Sequence, residues 1–397
     1  MRSRFCFPAQ PRRVLPHALL ACFSLGTITT AIYAANEGSQ LTYFGAWPHQ
    51  IVVFDAGQEK VVGTINLKND VPRYLILSSD KKKLFVWTVN DNSIVTIDLT
   101  TRAVVSSFSL NHGNQNVRLI GFAPDPTGKY LYSLGRIISK QRDHYDLDPP
   151  AFFVIDLAAQ KITRSGEYPK DEGTLPPRAA IKVSPDGKLL YLFRQSILVF
   201  DTKDFHLVKK VDLAKPQGPG LENISLGIID DPNETPGRVV SVFSAADPYV
   251  HREVFGIGDV DLTNLSFNFS PVAPSTAASD FHALFLTPDR KIGYTVAFHG
   301  GTGNARCEFW AFDMATRRLL RKREFDGRTR FYFGLSADGT KIFIYGAGYQ
   351  IEVYDAATFE LRTSVEVPGD VTTNMVVLPL NSVAALSADG HASTPMH

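Results

Sequence analysis

Apolar and polar residues alternate along most of this chain in short runs, the period of strands and not of helices. The runs come in pairs joined by a turn of the form small-Pro-Asp-Gly. The clearest copy is Ser184-Pro185-Asp186-Gly187. Variants stand at Ser336-Ala337-Asp338-Gly339, Thr287-Pro288-Asp289-Arg290, Ser78-Ser79-Asp80-Lys81 and the longer Ala123-Pro124-Asp125-Pro126-Thr127-Gly128. Pro presets the turn, and Asp and Gly tolerate its backbone angles, so each copy predicts a hairpin. Downstream comes an alternating stretch that ends in Asp: Ile51–Asp55, Ile94–Asp98, Phe152–Asp156, Ile197–Asp201, Glu308–Asp313 and Ile351–Asp355. A short polar turn and a further strand follow, as in Ala103–Leu110, Leu207–Leu213 and Leu361–Val367. One unit is therefore four strands, recurring every ~45–55 residues.

Six units start near Val71, Val117, Ala179, Ile224, His282 and Phe331. The fifth, roughly Gly220–Val272, lacks a clean turn signature. Leu41–Leu67 supplies only the later strands of a unit, and Thr372–Leu380 supplies a missing first strand. Joined, they make a seventh unit that closes a ring and hides the edges an open array would expose. The expected fold is all-β: a seven-bladed β-propeller of four-stranded antiparallel blades, closed by strands from both termini. Whether Ser382–Leu386 adds a strand is left open.

The stretch Leu84–Asp98 (LFVWTVNDNSIVTID) resembles the YVTN-type β-propeller repeat, and so does Gly187–Phe193. The resemblance covers most of the chain after its first segment. It implies a seven-bladed propeller and a choice of roles. Proteins of that shape include cell-envelope and surface-layer proteins, the propeller (β/heavy) chain of quinoprotein amine dehydrogenases, and lactonases. Fold-level likeness does not choose among them.

The first residues break the pattern. Arg2, Arg4, Arg12 and Arg13 precede an uncharged apolar run from Ala18 to about Ala35, followed by Asn36-Glu37-Gly38. This reads as a signal peptide over 1–35, cut near Ala34 or Ala35, so the chain is expected to be exported: periplasmic, cell-surface or extracellular. The Arg pair hints at twin-arginine export, Leu19–Cys22 faintly matches a lipoprotein site, and an uncleaved anchor is the other option. The propeller is then assigned to 36–386 and a flexible tail to 387–397, with no membrane span in the mature chain. Cys6 and Cys22 lie in the leader and only Cys307 remains, so no internal disulfide staples the fold. A hydrophobic content of 44% supplies a core, and the net charge of +1 argues against nucleic acid as a partner.

In a propeller, the loops between second and third strands share a face with those linking one blade to the next. The longest insertions, Gly135–Pro150, Ser244–His251 and His299–Arg306, fall there. On the same face Arg73, Arg118, Arg178, His282 and Arg330 precede the hairpin Asp of their blades by seven or eight residues. Around the channel mouth they would hold a carboxylate, a phosphate or an acidic partner loop. Asp70, Asp171, Glu172, Glu222, Asp280 and Asp370 lie in the same loops and would neutralise them as ordinary ion pairs. His144, Asp146, Asp148 and His299 are weak candidates for a metal, with His251, His282 and Cys307 in neighbouring loops, but no ligand spacing such as H-E-x-x-H or C-x-x-C is present. His299–Asn304 is a hairpin tip and not a phosphate loop, since no Lys-Ser/Thr follows. C-x-x-C-H and G-x-S-x-G are absent, and only Trp47, Trp87 and Trp310 occur, too few for direct quinone docking motifs. No cofactor is expected. The reading is a non-catalytic exported scaffold binding a protein partner or small anionic ligand on its loop-rich face. The alternatives are an accessory subunit of an amine dehydrogenase-like complex, or a lactonase-type hydrolase using the mouth His, Asp and Arg groups.

Overall fold

The computed structural model describes residues 40–68, 70–173, 179–229, 237–247, 249, 252–272, 278, 280–300, 306–326, 330–346 and 348–380. The expected signal peptide over 1–35, Arg178, His251, the question over Ser382–Leu386 and the expected tail 387–397 lie outside these. The described strands pair into seven separate antiparallel sheets, the seven blades of a propeller. Among the described residues no helix is long and apolar enough to cross a membrane.

Blade 1 is built from both ends of the chain. Its inner strand Val376–Val377 pairs with Leu41–Ala46, which leads to Gln50–Asp55 and Lys60–Asn66. The register sets Thr42 against Val377 and Tyr43 against Val376. Gly45 stands at this seam and donates its backbone N–H to Thr373 Oγ1 at 2.7 Å. A Cβ at Gly45 would lie 2.6 Å from both Pro72 and Thr373, so only glycine fits the closure. Blades 2 to 7 follow in order, with inner strands Pro72–Leu77, Gln115–Pro124, Ala180–Val183, Glu222–Leu226, the split pair Asp280–Phe281 and Phe285–Leu286, and Tyr332–Leu335.

The hairpin reading holds in detail. Ser78, Ser184, Thr287 and Ser336 each donate a hydroxyl to the Asp two residues on, which in turn accepts a backbone N–H beyond it. The strand-ending Asp has an equally local purpose. Asp55, Asp98, Asp156, Asp201, Asp313 and Asp355 each accept a backbone N–H from the turn that follows. Asp261 does the same for blade 5, the blade with the faint signature. Four residues after each Asp stands a non-glycine residue with φ between 53° and 62°: Glu59, Arg102, Gln160, Phe205, Leu265, Arg317 and Phe359. The turn is thus one geometry repeated around the ring, and the carboxylate compensates for a left-handed residue that L-amino acids resist.

Period-2 alternation sends successive side chains to opposite faces of a blade. In blade 1, Tyr43, Ile51 and Val53 pack with Leu84, Val86 and Val95 of blade 2. Phe44, Val52 and Phe54 pack with Phe343, Ile351 and Val353 of blade 7. The described core consists of seven such clusters, each shared by two neighbouring blades. Each fully buried Leu, Val, Ile or Phe contributes about 1.5–3 kcal/mol. The axis between the inner strands is left for other uses. The two ends of the axis differ: the Asp turns lie on one face, the turn face, and the remaining connections on the other, the loop face.

Candidate functional site

Strands lead into the three long connections on the loop face, where irregular insertions were expected; residues 248, 250, 251 and 301–305 at the tips in blades 5 and 6 lie outside the described residues. In blade 3 the second strand runs on to Lys140 and pairs with an early start of the inner strand at Gln115. Tyr145–Leu147 then folds back onto Ile138–Lys140. Ile137 and Ile138 keep the stretch extended, because β-branched residues favour a pleated strand. Gly135–Pro150 is therefore largely strand. In blade 5, Arg238–Asp247 pairs along its whole length with Arg252–Asp261, which puts Ser244 in a strand. In blade 6, Ile292–His299 pairs with Arg306–Asp313.

Four of the five basic residues, Arg73, Arg118, His282 and Arg330, are among the described residues, and each has its own surroundings. Arg73 occupies a bulge in the inner strand of blade 2, and its guanidinium lies over the Trp87 ring, 4.8 Å from the centroid. Arg118 is exposed on the blade 3 ribbon, directly opposite Arg136. Gly135 makes that approach possible, since a Cβ there would lie 2.3 Å from the Arg118 carbonyl oxygen. Arg330 is exposed just ahead of the blade 7 inner strand. His282 lies between the two halves of the blade 6 inner strand, its ring centroid 5.2 Å from Phe298 and 5.0 Å from Phe331. Burial pulls its pKa down to about 4, against a weaker opposing pull from Asp280. At neutral pH His282 is an uncharged ring in an aromatic pocket and adds no cation to the mouth.

The acidic residues of these loops also have local work. Asp70 accepts from the Thr88 hydroxyl and from the backbone N–H groups of Val71, Asn90 and Asp91. Burial pushes this carboxyl up, but those four donors outweigh it and hold it below the usual carboxylate range. Glu172 pairs with Lys210 at 2.8 Å. The ion-pair role expected of these two toward the Arg set is replaced by hairpin bracing and by a bridge within blade 4. Asp280 is exposed and receives one N–H, from Phe281.

The loop face opens on the axis into a cavity of about 710 Å³. Phe193, Arg194 and Gln195 reach it from blade 4, Asn223 to Ile229 from blade 5, Asp280 and Phe281 from blade 6, and Tyr74 from blade 2. None of Arg73, Arg118, His282 and Arg330 lines it. Arg194 is held in place by Tyr168 Oη and, at 3.0 Å, by the Glu172 carbonyl oxygen. Ile228 is 51% exposed although it is a large apolar side chain. Apolar walls with a few fixed polar groups are the usual make-up of a small-ligand pocket. Sequence reasoning did not single out Arg194 or Ile228, nor did it bring them together with Asp280 in one space. Arg194 follows the blade 4 second strand directly, at the tip of a short connection that carries no insertion to draw the eye.

No protein-family model and no curated protein sequence matches the chain. Its likeness to solved structures is one of fold. A functionally unknown protein from Desulfotomaculum acetoxidans superposes with a TM-score of 0.53 at 13% identity, covering 86% of this chain and 99% of that one. Kuenenia stuttgartiensis hydrazine synthase gives 0.48 at 15% identity, over 84% and 94% of the two chains. Dihydro-heme d1 dehydrogenase NirN gives 0.49 at 14% identity, over 89% and 77%.

The metal candidates are dispersed. His144 lies 2.8 Å from Asp143 and 3.4 Å from Asp146 on the exposed blade 3 ribbon. Asp148 follows on the same ribbon, where its backbone N–H closes onto Ile137. His299 is three blades away and bonds Glu308 Oε2 at 2.8 Å. Glu308 Oε2 also accepts from Trp310 Nε1 at 2.8 Å and Lys322 Nζ at 3.4 Å, which makes it the hub of a half-buried polar cluster. Cys307 is buried inside the interface of blades 6 and 7. Among the described residues, the one group of three with metal-ligand spacing is Asp201, Asp204 and His206, on an outer turn of blade 4. Its Asp201 already caps that turn, and His206 bonds Asp204 at 2.6 Å.

Proposed function

We propose that this chain is an exported, non-catalytic propeller scaffold that takes a small ligand, or a side chain of a protein partner, into the axial cavity of its loop face. The observation that carries this is the 710 Å³ cavity with apolar walls, where Arg194 and Asp280 stand as polar groups of opposite sign. Such a pair suits a ligand with both a donor-rich and an acceptor-rich end. The extended strands of blades 3, 5 and 6 lead to the same face and offer a partner further surface there. Arg118 and Arg330 add positive charge on the exposed face, which would steer an acidic partner. The charged and apolar leader supports export.

The test uses thermal-shift screening of the purified mature protein against a metabolite library, wild type beside Ile228→Trp and Asp280→Asn. Ligands that stabilise the wild type should lose their effect in Ile228→Trp, which fills the cavity. Hits that survive in both variants would place binding elsewhere and sink the reading. N-terminal sequencing of the exported protein should find a chain that starts near residue 35. An intact first segment would remove the export step.

A further inference from the structure

The early start of the blade 3 inner strand sets two arginines side by side. Arg118 is the direct cross-strand partner of Arg136 on the second strand. Residues so paired share a face of the sheet, with Cβ atoms about 4.5–5.5 Å apart. Among the described residues no carboxylate forms an ion pair with either guanidinium. Asp143 and Asp146, further along the same connection, pair with His144 and Gln141. Like charges held directly opposite each other cost stability, and two adjacent guanidinium forks suit a carboxylate. Two residues along the second strand, Ile138 stands opposite Leu147, and two further on Lys140 stands opposite Tyr145. Leu147 is 59% exposed and Tyr145 58%, so both leave apolar surface in water. The reverse face of these strands holds Val117 and Ile137, which pack into the core between blades 2 and 3. One face is thus committed to the fold. The other presents cation, apolar and cation in successive rows about 7 Å apart.

We propose that this face of blade 3 docks an acidic segment of a protein partner, extended along the second strand. An acidic residue of the segment sits on Arg118 and Arg136, an apolar one against Ile138 and Leu147, and a second acidic one on Lys140. Alternate residues of an extended chain face one way at the same spacing as the rows, so the pattern read is Glu-x-Leu-x-Glu. Nucleic acid fits less well, because its affinity comes from many phosphate contacts and here three cations are interrupted by exposed aliphatic groups. None of these residues lines the axial cavity. The docking face therefore goes beyond the function proposed above, and either can fail without the other.

Fluorescence anisotropy of labelled, end-blocked peptides on the purified protein tests it. The probe is Ser-Glu-Ser-Leu-Ser-Glu-Ser, with the scrambled Ser-Ser-Glu-Glu-Leu-Ser-Ser and a short single-stranded DNA beside it. The probe should bind the wild type saturably. Its affinity should fall about tenfold in Arg118→Gln and in Arg136→Gln, and about a hundredfold in the double variant. Leu147→Ser should weaken it severalfold, and added salt should weaken it too. The scrambled peptide should bind about tenfold more weakly, since its two carboxylates face opposite ways. Arg136→Gln should melt no lower than the wild type, because it removes a like-charge pair. Probe binding that is unchanged in the double variant overturns the proposal. So do equal binding of the scrambled peptide, tighter binding of the DNA, and the absence of any saturable signal. A lower melting point with probe binding kept would assign the pair to the fold instead. Arg118→Gln, at an exposed position, decides the matter if Arg136→Gln does not fold.

Discussion

The Thr88 hydroxyl donates to the carboxylate of Asp70, eighteen residues earlier, and both residues are buried. Asp70 thereby pins the connection after the second strand of blade 2, since the same carboxylate takes the N–H groups of Asn90 and Asp91. Asp70→Ala should destabilise the protein by about 2–3 kcal/mol, because it strands those donors away from water. Asp70→Asn should cost about half as much. The folded-state pKa lies below the ordinary carboxylate value. Its stabilisation is therefore complete above the unfolded pKa and is lost as pH falls through the lower folded one. Urea melts at pH 7 and pH 3 check both points: the deficit of Asp70→Ala should shrink at pH 3.

The repeated left-handed position makes a second prediction. Gln160 has φ of 55° and an exposed side chain. Gln160→Gly should be neutral or stabilising by up to about 1 kcal/mol, since relief of the strained φ offsets glycine's extra chain entropy. Gln160→Val should destabilise by about 1–2 kcal/mol, because a β-branched residue resists positive φ most. Denaturation midpoints for the pair should differ in that order. The reverse order would mean that the turn is not held in this geometry.

Much of this was legible in the sequence, and the illegible parts have physical reasons. The Asp-ended strands and small-x-Asp turns are short-range chemistry, so they read directly from residues such as Asp98 and Ser184. Blade 5 was faint because it lacks a clean small-Pro-Asp-Gly turn, and Gly256, Gly258 and Asp259 interrupt the apolar run ahead of Asp261. The left-handed residues were invisible, since Gln160 or Phe359 carries no sign of positive φ that glycine would give. The surroundings of Arg73 and His282 were hidden for a related reason. Position in the strand was read correctly for Arg73 and His282, but their direction was set by long-range aromatic partners, Trp87 and Phe331. The same holds for Glu308, whose partners His299 and Lys322 come from flanking strands.

Ring closure is reinforced across the seam of blades 7 and 1. Lys341 Nζ donates to the Ala56 carbonyl oxygen at 2.6 Å and pairs with Glu59 at 2.9 Å, while Arg362 meets Glu59 at 3.1 Å. Lys341 is 11% exposed, so its removal leaves a partly desolvated carboxylate. Lys341→Met should cost about 1–2 kcal/mol. A double-mutant cycle with Glu59→Gln should show coupling of about 1 kcal/mol, and a coupling near zero would reduce the seam to apolar packing alone.

His282 supplies a pH dependence that is separable from the carboxylates. Its folded pKa of about 4 lies below the unfolded value of 6.5, so the folded state binds fewer protons between these limits. Stability contributed by neutral His282 is complete above about pH 6.5 and declines as pH falls toward 4. The loss reaches about 2 kcal/mol by pH 5. His282→Phe removes the titrating group and keeps an aromatic ring against Phe298, Phe331 and Phe333. The backbone bond from His282 N to the Val296 carbonyl oxygen survives the change. Urea unfolding at pH 7.5 and pH 5 should therefore show a smaller drop in the variant than in the wild type. Equal drops would mean that the ring is solvated and charged in the fold, and would return His282 to the cations of the loop face.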